Sequence, residues 1–255
     1  MKELIVTTLA LLAGSAIADA SAQGAPFGSV KSEQKISDTQ GSFGGALSNG
    51  DRLGYSVTFL GDPDGDGIGD LATGSPNDDD GGGPFSQTER GAVWILFLND
   101  DGTVKSEQKI SDTQGGFGGT LDNNDNFGWA VAGLGDLDGD GIEDLAVGAP
   151  KDDDVHTDFG AVWILFLDTD GTVKAEQKIT GFANTHPFDG ILGASLGALG
   201  DLDGDGAGDL AVGSPAAIDG GLSKGAVWIL FLNTDGTVKA QQKISGSYGG
   251  FGGSL

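Results

Sequence analysis

Residues 160–179 read GAVWILFLDTDGTVKAEQKI, and the same pattern recurs at 91–110 and 225–244. The run VWILFL at 162–167 is apolar at every position, which predicts an inner strand that is covered on both faces. The turn DTDGT at 168–172 leads into VKAEQKI, whose alternating polar residues are typical of an outer strand facing water. Each copy therefore predicts a β-hairpin at the outer side of a repeated sheet.

The outer-strand segment occurs four times, beginning at Val30, Val104, Val173 and Val238, with periods of 74, 69 and 65 residues. Two further strand-like segments precede the hairpin in each repeat, for example GWAVAGLG from Gly128 and DLAVGAP from Asp144. Four antiparallel strands per repeat of this length describe a propeller blade. We therefore predict an all-β propeller with complete four-stranded blades at 53–110, 127–179 and 192–244 and a partial blade from 245.

Length differences between the repeats are confined to two stretches. The block from Gly54 to Gly74 contains 21 residues, as do its two counterparts. The stretches 76–91 and 36–53 and their counterparts vary in length and are rich in Gly, Asp and Asn, which predicts surface loops. The acidic runs at 78–80 and 152–154 lie near or in these loops and are interpreted as solvated turns, with further cation binding as the alternative.

Three loops share the pattern Asp-x-Asp-x-Asp-Gly-x-x-Asp: DPDGDGIGD, DLDGDGIED and DLDGDGAGD. Carboxylates at positions 1, 3, 5 and 9, a glycine at position 6 and a backbone carbonyl at position 7 fit a calcium ion. Four carboxylates so close repel one another unless a cation lies among them. An EF-hand is excluded, because its loop needs a glutamate at position 12, where these loops have Thr73, Val147 and Val212.

We thus predict about three Ca²⁺ sites. The carboxylate ligands are Asp62, Asp64, Asp66 and Asp70, then Asp136, Asp138, Asp140 and Asp144, and finally Asp201, Asp203, Asp205 and Asp209, with the carbonyls of Ile68, Ile142 and Ala207.

The order Phe127-Gly128, aspartate loop, Gly148-Ala149-Pro150, GAVWILFL resembles the FG-GAP repeat of integrin α-subunit propellers and related bacterial exported proteins. Leu53 and Leu192 replace the Phe, and Ser75 and Ser214 replace the Ala. The resemblance implies a propeller, usually of seven blades, with calcium between the first two strands of a blade. Seven blades need roughly 490 residues, so the chain is expected to be a fragment or a partial ring that closes by association. The outer-strand segment Val30 to Ile36 is the candidate for closing that ring.

Residues 1–22 contain an early lysine, an apolar run and Ala-x-Ala motifs, which predicts a secretory signal cleaved after Ala20 or Ala22. The apolar run is too short to span a bilayer. The chain has no cysteine and carries 38 acidic against 13 basic residues, a net charge of −25. Such a surface repels nucleic acid and anionic membranes and attracts divalent cations. We predict a secreted or cell-surface protein without membrane insertion, with residues 23–255 forming the propeller repeats.

Catalysis is not expected. Ser195 lies in a Gly-x-Ser-x-Gly pattern, but it aligns with Ser56 and Ala130 in the first strand of a blade, whereas a nucleophile elbow needs a strand-to-helix turn. The histidines, His156 and His186, lie in variable loops. The predicted function is extracellular interaction or adhesion with an unknown protein or glycan. The alternatives are a structural or carrier domain of a larger exported protein, and a propeller hydrolase or lyase.

Overall fold

The structure, a computed structural model, describes residues 30, 32–79, 88–180, 190–219 and 221–250. None of the described residues is helical, and each of the three complete repeats forms one four-stranded antiparallel sheet. This confirms the predicted all-β, four-stranded blades.

The first sheet consists of β1 (Ser56–Phe59), β2 (Leu71–Ser75), β3 (Ala92–Leu98) and β4 (Val104–Ile110). The second consists of β5 (Ala130–Gly135), β6 (Asp144–Ala149), β7 (Ala161–Leu167) and β8 (Val173–Thr180). The third consists of β9 (Ser195–Gly200), β10 (Asp209–Ser214), β13 (Ala226–Leu232) and β14 (Val238–Ile244), and β11 (Ile218–Asp219) and β12 (Leu222–Ser223) form a small hairpin.

Within each sheet the strands follow chain order, so every connection is a hairpin. The apolar third strand lies between the second and the fourth, as its sequence predicts, and all of β7 is buried. The turn after β7 closes through the amide of Asp168, which donates to the carbonyl of Thr172 at 2.8 Å. A register shift between Phe166 and Leu167 marks the start of the outer strand, and the same shift occurs in the other two sheets.

Neighbouring sheets pack face to face, and side chains of their inner strands share hydrophobic clusters. The trailing face of the first blade, with Val93, Ile95 and Phe97, shares a hydrophobic cluster with Trp163 and Leu165 on the leading face of the second. The second blade packs against the third in the same way, which places alternate residues of each VWILFL run in different cores. The tryptophan of each run is therefore a core residue.

A pair of glycines brings the backbones of neighbouring blades together. A Cβ atom on Gly148, near the end of β6, would lie 2.1 Å from the carbonyl oxygen of Gly193, which precedes β9. Gly74 and Gly128 make the equivalent contact between the first two blades, where the Cβ would lie 1.8 Å from the oxygen. Both Gly128 and Gly193 have positive φ, which also favours glycine there. The fixed 21-residue block thus connects the two backbone points at which a blade meets its neighbours.

The two end faces of this three-blade stack carry exposed apolar residues. On the leading face of the first blade Val57 is 57% exposed, whereas its counterpart Val131 is 8% exposed. On the trailing face of the third blade Val227 is 42% exposed, whereas Val162 in the second blade is fully buried. A valine at each of these positions is covered only where another described blade packs on it.

Several expectations for the loops and outer strands are wrong. Phe43 and Phe117, in stretches interpreted as surface loops, are buried edge-on against Trp94 and Trp163. The outer strand β4 does not present all its polar residues to water, because Lys109 is buried and pairs with buried Asp78 at 2.7 Å. Burial of an ionised carboxylate requires such a partner, so Asp78, the first residue of the acidic run at 78–80, is not solvated as expected.

The second repeat has the same arrangement. Asp152 is buried and pairs with Lys178, which also lies over the ring of Trp163. Asp125 is 2% exposed and interacts electrostatically with Asp152 and Lys178, and its burial raises its pKa to about 7.

Two predictions concern the beginning of the chain. The signal segment 1–22 lies outside the described residues. The outer strand expected over 30–36 does not form at the described positions of that stretch, where no strand is assigned. An outer strand depends on ladder hydrogen bonds from a neighbouring strand, and none is paired with those positions. In the described part of the chain we find no helix that is long and apolar enough to cross a membrane.

Candidate calcium sites in the aspartate loops

Each aspartate loop connects the first strand of a blade to the second, as predicted. The first loop follows β1, which ends at Phe59, and Asp70 directly precedes β2. In the other two blades the ninth loop residue, Asp144 or Asp209, is itself the first residue of the second strand. The three loops therefore occupy the same end of their blades.

The first, third and fifth aspartates of a loop accept hydrogen bonds from backbone amides of the same loop. In the second blade the two oxygens of Asp136 accept hydrogen bonds from the amides of Gly139, at 2.7 Å, and Gly141, at 2.9 Å. The Oδ1 atoms of Asp138 and Asp140 each accept from the amide two residues further on. The Oδ2 atoms of Asp138 and Asp140 are left for a cation.

The ninth aspartate is buried and connects the loop to the third strand. Oδ1 of Asp144 accepts from the amide of Leu167 at 3.2 Å, and Oδ2 accepts from the amide of Leu137 at 2.9 Å. Asp209 makes the same two contacts, with Leu232 and Leu202. Burial raises the pKa of Asp144 to about 6, because the low-dielectric surroundings disfavour its charged form.

The first loop differs at this position. Oδ1 of Asp70 accepts from the amide of Leu98 at 2.8 Å, but Oδ2 is buried and has no hydrogen-bond partner among the described residues. The counterpart of Leu137 is Pro63, which has no N–H group to donate. Burial raises the pKa of Asp70 as well.

Carboxylate oxygens converge in all three loops to within 4.8 Å of one another. The ninth aspartate joins the first and third in the second and third loops, whereas the fifth joins them in the first loop. The converging sets are Asp62, Asp64 and Asp66, then Asp136, Asp138 and Asp144, then Asp201, Asp203 and Asp209. Asp70, Asp140 and Asp205 lie outside these sets, and the carbonyls of Ile68, Ile142 and Ala207 remain predicted ligands.

A lysine from the outer strand of the same blade contacts each loop, which the sequence interpretation missed. Lys174 Nζ lies 2.8 Å from Oδ2 of Asp138 and also bonds Oδ2 of Asp140. The other two blades have Lys105 with Asp64 and Asp66, and Lys239 with Asp203 and Asp205. The lysine hydrogen bond lowers the pKa of the fifth aspartate in each loop. The sequence feature that could have indicated this contact is the lysine at the second position of every outer strand.

The donor set fits a hard divalent cation. All converging side-chain atoms are carboxylate oxygens, and Oδ2 of Asp70, which lies outside the converging set of its loop, is a further buried acceptor without a hydrogen-bond partner among the described residues. The third and fifth aspartates already bind a positive group, the lysine ammonium, through the oxygens left for a cation.

The described residues that were considered for catalysis lie in different elements. Ser195 is the first residue of β9, and Ser56 and Ala130 are the first residues of β1 and β5, as the repeat alignment predicts. His156 packs edge-on against Phe159. His186 lies outside the described residues.

Comparison with known proteins identifies the class. The FG-GAP repeat family matches residues 53–96, 127–165 and 192–230, which contain the aspartate loops and the apolar third strands. The chain therefore contains three FG-GAP repeats.

Its relatives include enzymes and integrins. It is 34% identical to phosphatidylinositol-glycan-specific phospholipase D of Bos taurus over 180 residues, which are 69% of this chain and 20% of the relative. It is 32% identical to integrin alpha-3 of Cricetulus griseus over 154 residues, 60% of this chain and 13% of the relative. It is 32% identical to integrin alpha pat-2 of Caenorhabditis briggsae over 220 residues, 79% of this chain and 16% of the relative. The chain thus spans a fifth or less of the length of these relatives.

Proposed function

We propose that this chain is an exported, non-catalytic calcium-binding propeller module for extracellular interaction or adhesion. The observation that supports it is the convergence of carboxylates in three equivalent loops at the same end of three blades. A single acidic loop is common on protein surfaces. Three loops with the same aspartate spacing, each with converging carboxylates, support a shared ligand.

Calcium would be held by the aspartates of positions 1, 3, 5 and 9 and the carbonyl of position 7. Because the ninth aspartate also accepts the amide of the third strand, an ion bound there would connect the loop to three strands of its blade. Its role in this proposal is to stabilise the fold by cancelling repulsion among the carboxylates.

The proposed partner is an extracellular protein or glycan. The predicted signal segment and the likeness to integrin alpha subunits support an exported interaction module. The likeness to a phospholipase D favours the alternatives, a structural or carrier domain of a larger exported protein or a propeller hydrolase or lyase. The open end faces, with Val57 and Val227, support a further partner, namely other blades from a longer chain or from a second copy.

Thermal unfolding in EGTA and in 1 mM calcium tests the calcium proposal. For dissociation constants of about 0.1 to 1 mM, as in extracellular modules, each site contributes about 0.4 to 1.4 kcal/mol. Three sites then raise the melting temperature by several degrees, at about 2 to 4 °C per kcal/mol for a chain of this size.

The Asp140→Ala variant should reduce this rise without removing it, because the loops at Asp62 and Asp201 remain. Asp153→Ala is the control, since Asp153 is an exposed aspartate outside the loops, and the change removes the same charge. A melting temperature that is the same in EGTA and in calcium would refute the calcium proposal.

Binding of the purified chain to immobilised extracellular matrix proteins and glycans, in calcium and in EGTA, separates the functional classes. Calcium-dependent binding to one of these ligands supports the interaction module. Calcium-dependent folding without binding to any of them supports the structural or carrier role.

A further inference from the structure

The lysine at the second position of each outer strand contacts the aspartate loop of its own blade in the same way three times. Lys105 Nζ lies 2.6 Å from Oδ2 of Asp64, and Lys239 Nζ lies 2.6 Å from Oδ2 of Asp203. Each ammonium also bonds Oδ2 of the fifth aspartate. Between 34 and 41 residues separate the partners in the chain, so the fold brings each pair together.

The position of the lysine follows from the sheet. Lys174, the second residue of β8, has no partner on β7, because Val173 pairs with Leu167 and Ala175 pairs with Phe166 across the register shift. The turn between β7 and β8 is at the same end of the blade as the loop between β5 and β6, because the sheet is antiparallel. The register and strand order of the sheet therefore place Lys174 beside Asp138 and Asp140.

The lysine and a bound calcium ion need the same atoms. The Oδ1 atoms of the third and fifth aspartates accept backbone amides, so their Oδ2 atoms are the acceptors left for a cation. An ammonium group has no lone pair and cannot become a calcium ligand. Two positive groups a few ångströms apart also repel each other. The ammonium group and a calcium ion therefore compete for these oxygens.

We propose that Lys105, Lys174 and Lys239 are tethered cations that neutralise their loops in the absence of calcium and that calcium must displace. This inference rests on the proposed calcium function. The lysines keep the calcium-free loops folded and lower the calcium affinity of the sites. Each lysine makes two ion pairs of the modest strength usual at a protein surface, so its removal should tighten a site by about 2- to 30-fold.

The test compares the full chain with a Lys105→Met, Lys174→Met, Lys239→Met triple variant. Methionine keeps much of the aliphatic stem and removes the charge. Calcium affinity is measured by isothermal titration calorimetry, and the melting temperature is measured in EGTA. The triple variant should bind calcium about 2- to 30-fold more tightly and melt at a lower temperature in EGTA.

Two controls separate the lysine contact from charge in general. A triple variant with arginine at the same positions keeps the positive groups and should behave like the natural sequence in both measurements. Lys224→Met removes one charge from an exposed lysine outside the loops and should leave the calcium affinity unchanged. If the triple methionine variant does not fold in EGTA, the single Lys174→Met variant replaces it, and one class of sites should tighten.

Each outcome supports or overturns the inference. Tighter binding with a lower melting temperature in EGTA supports it. Calcium binding at the natural affinity in the methionine variant overturns the lysine inference and leaves the proposed function intact. Absence of calcium binding in both proteins overturns the proposed function and this inference together.

Discussion

The contact between Gly148 and Gly193 leads to a sharp prediction about stability. A Cβ at residue 148 would lie 2.1 Å from the carbonyl oxygen of Gly193, whereas ordinary contacts are 3.4 Å or longer. The two blades would have to move apart by about 1 Å, because the contacted oxygen belongs to the backbone and no side-chain rotation can relieve the clash. Overpacking typically costs about 1 to 3 kcal/mol, and a clash with backbone belongs at the upper end. We therefore expect Gly148→Ala to lower the melting temperature by about 6 to 12 °C.

The third blade offers a matched control for this substitution. Gly213 occupies the same position in β10, but a Cβ there would meet the Oγ of Ser195, which can rotate away. Gly213→Ala also restricts the unfolded chain, which offsets part of any cost. Its melting temperature should stay within about 3 °C of the natural sequence. Equal melting temperatures for the two variants would refute the close approach of neighbouring blades.

Two further predictions concern buried carboxylates. Burial raises the pKa of Asp125 to about 7, so the folded chain binds a proton at this carboxylate more tightly than the unfolded chain does. Protonation of Asp125 therefore adds to the unfolding free energy as pH falls from about 7 towards 4. Asp125→Asn should therefore be more stable than the natural sequence at pH 8, and the difference between the two unfolding free energies should shrink on acidification; a constant difference would contradict the assignment. Pro63→Ala supplies the N–H group that Oδ2 of Asp70 lacks, which contributes about 1 to 3 kcal/mol. The same change loses about 0.4 to 1 kcal/mol of proline rigidity, so in EGTA the unfolding free energy should rise by about 1 kcal/mol. The gain should diminish in calcium, and an unchanged or lower unfolding free energy in EGTA would show that Asp70 is satisfied in another way.

The strands and the position of the aspartate loops could be predicted from the sequence because their signals are local. The run VWILFL is apolar at both alternating sets of positions, and the turn from Asp168 to Thr172 carries its own glycine. The oxygen ligands of a loop lie within nine residues of one another, so their spacing alone indicates the site. The number of blades in a complete ring stays a prediction.

The features that the sequence did not reveal depend on residues far apart in the chain. The lysines of the outer strands alternate with apolar residues as an exposed strand would, yet Lys109 is buried beside Asp78 and Lys174 lies on an aspartate loop. The difference arises because the partner carboxylates are 24 to 41 residues away, in other hairpins. The fixed 21-residue block was visible, but its cause, the glycine contact between blades, belongs to tertiary packing.

The antiparallel order of each sheet also separates two kinds of loop. The aspartate loop and the turn after the third strand lie at one end of a blade, and the stretches of variable length, such as 150–160, lie at the other. Insertions can therefore accumulate at one end during evolution without altering the geometry at the aspartates. The same separation makes the 153–157 segment a suitable point for grafting a foreign peptide, since the graft would project from the end opposite the carboxylates.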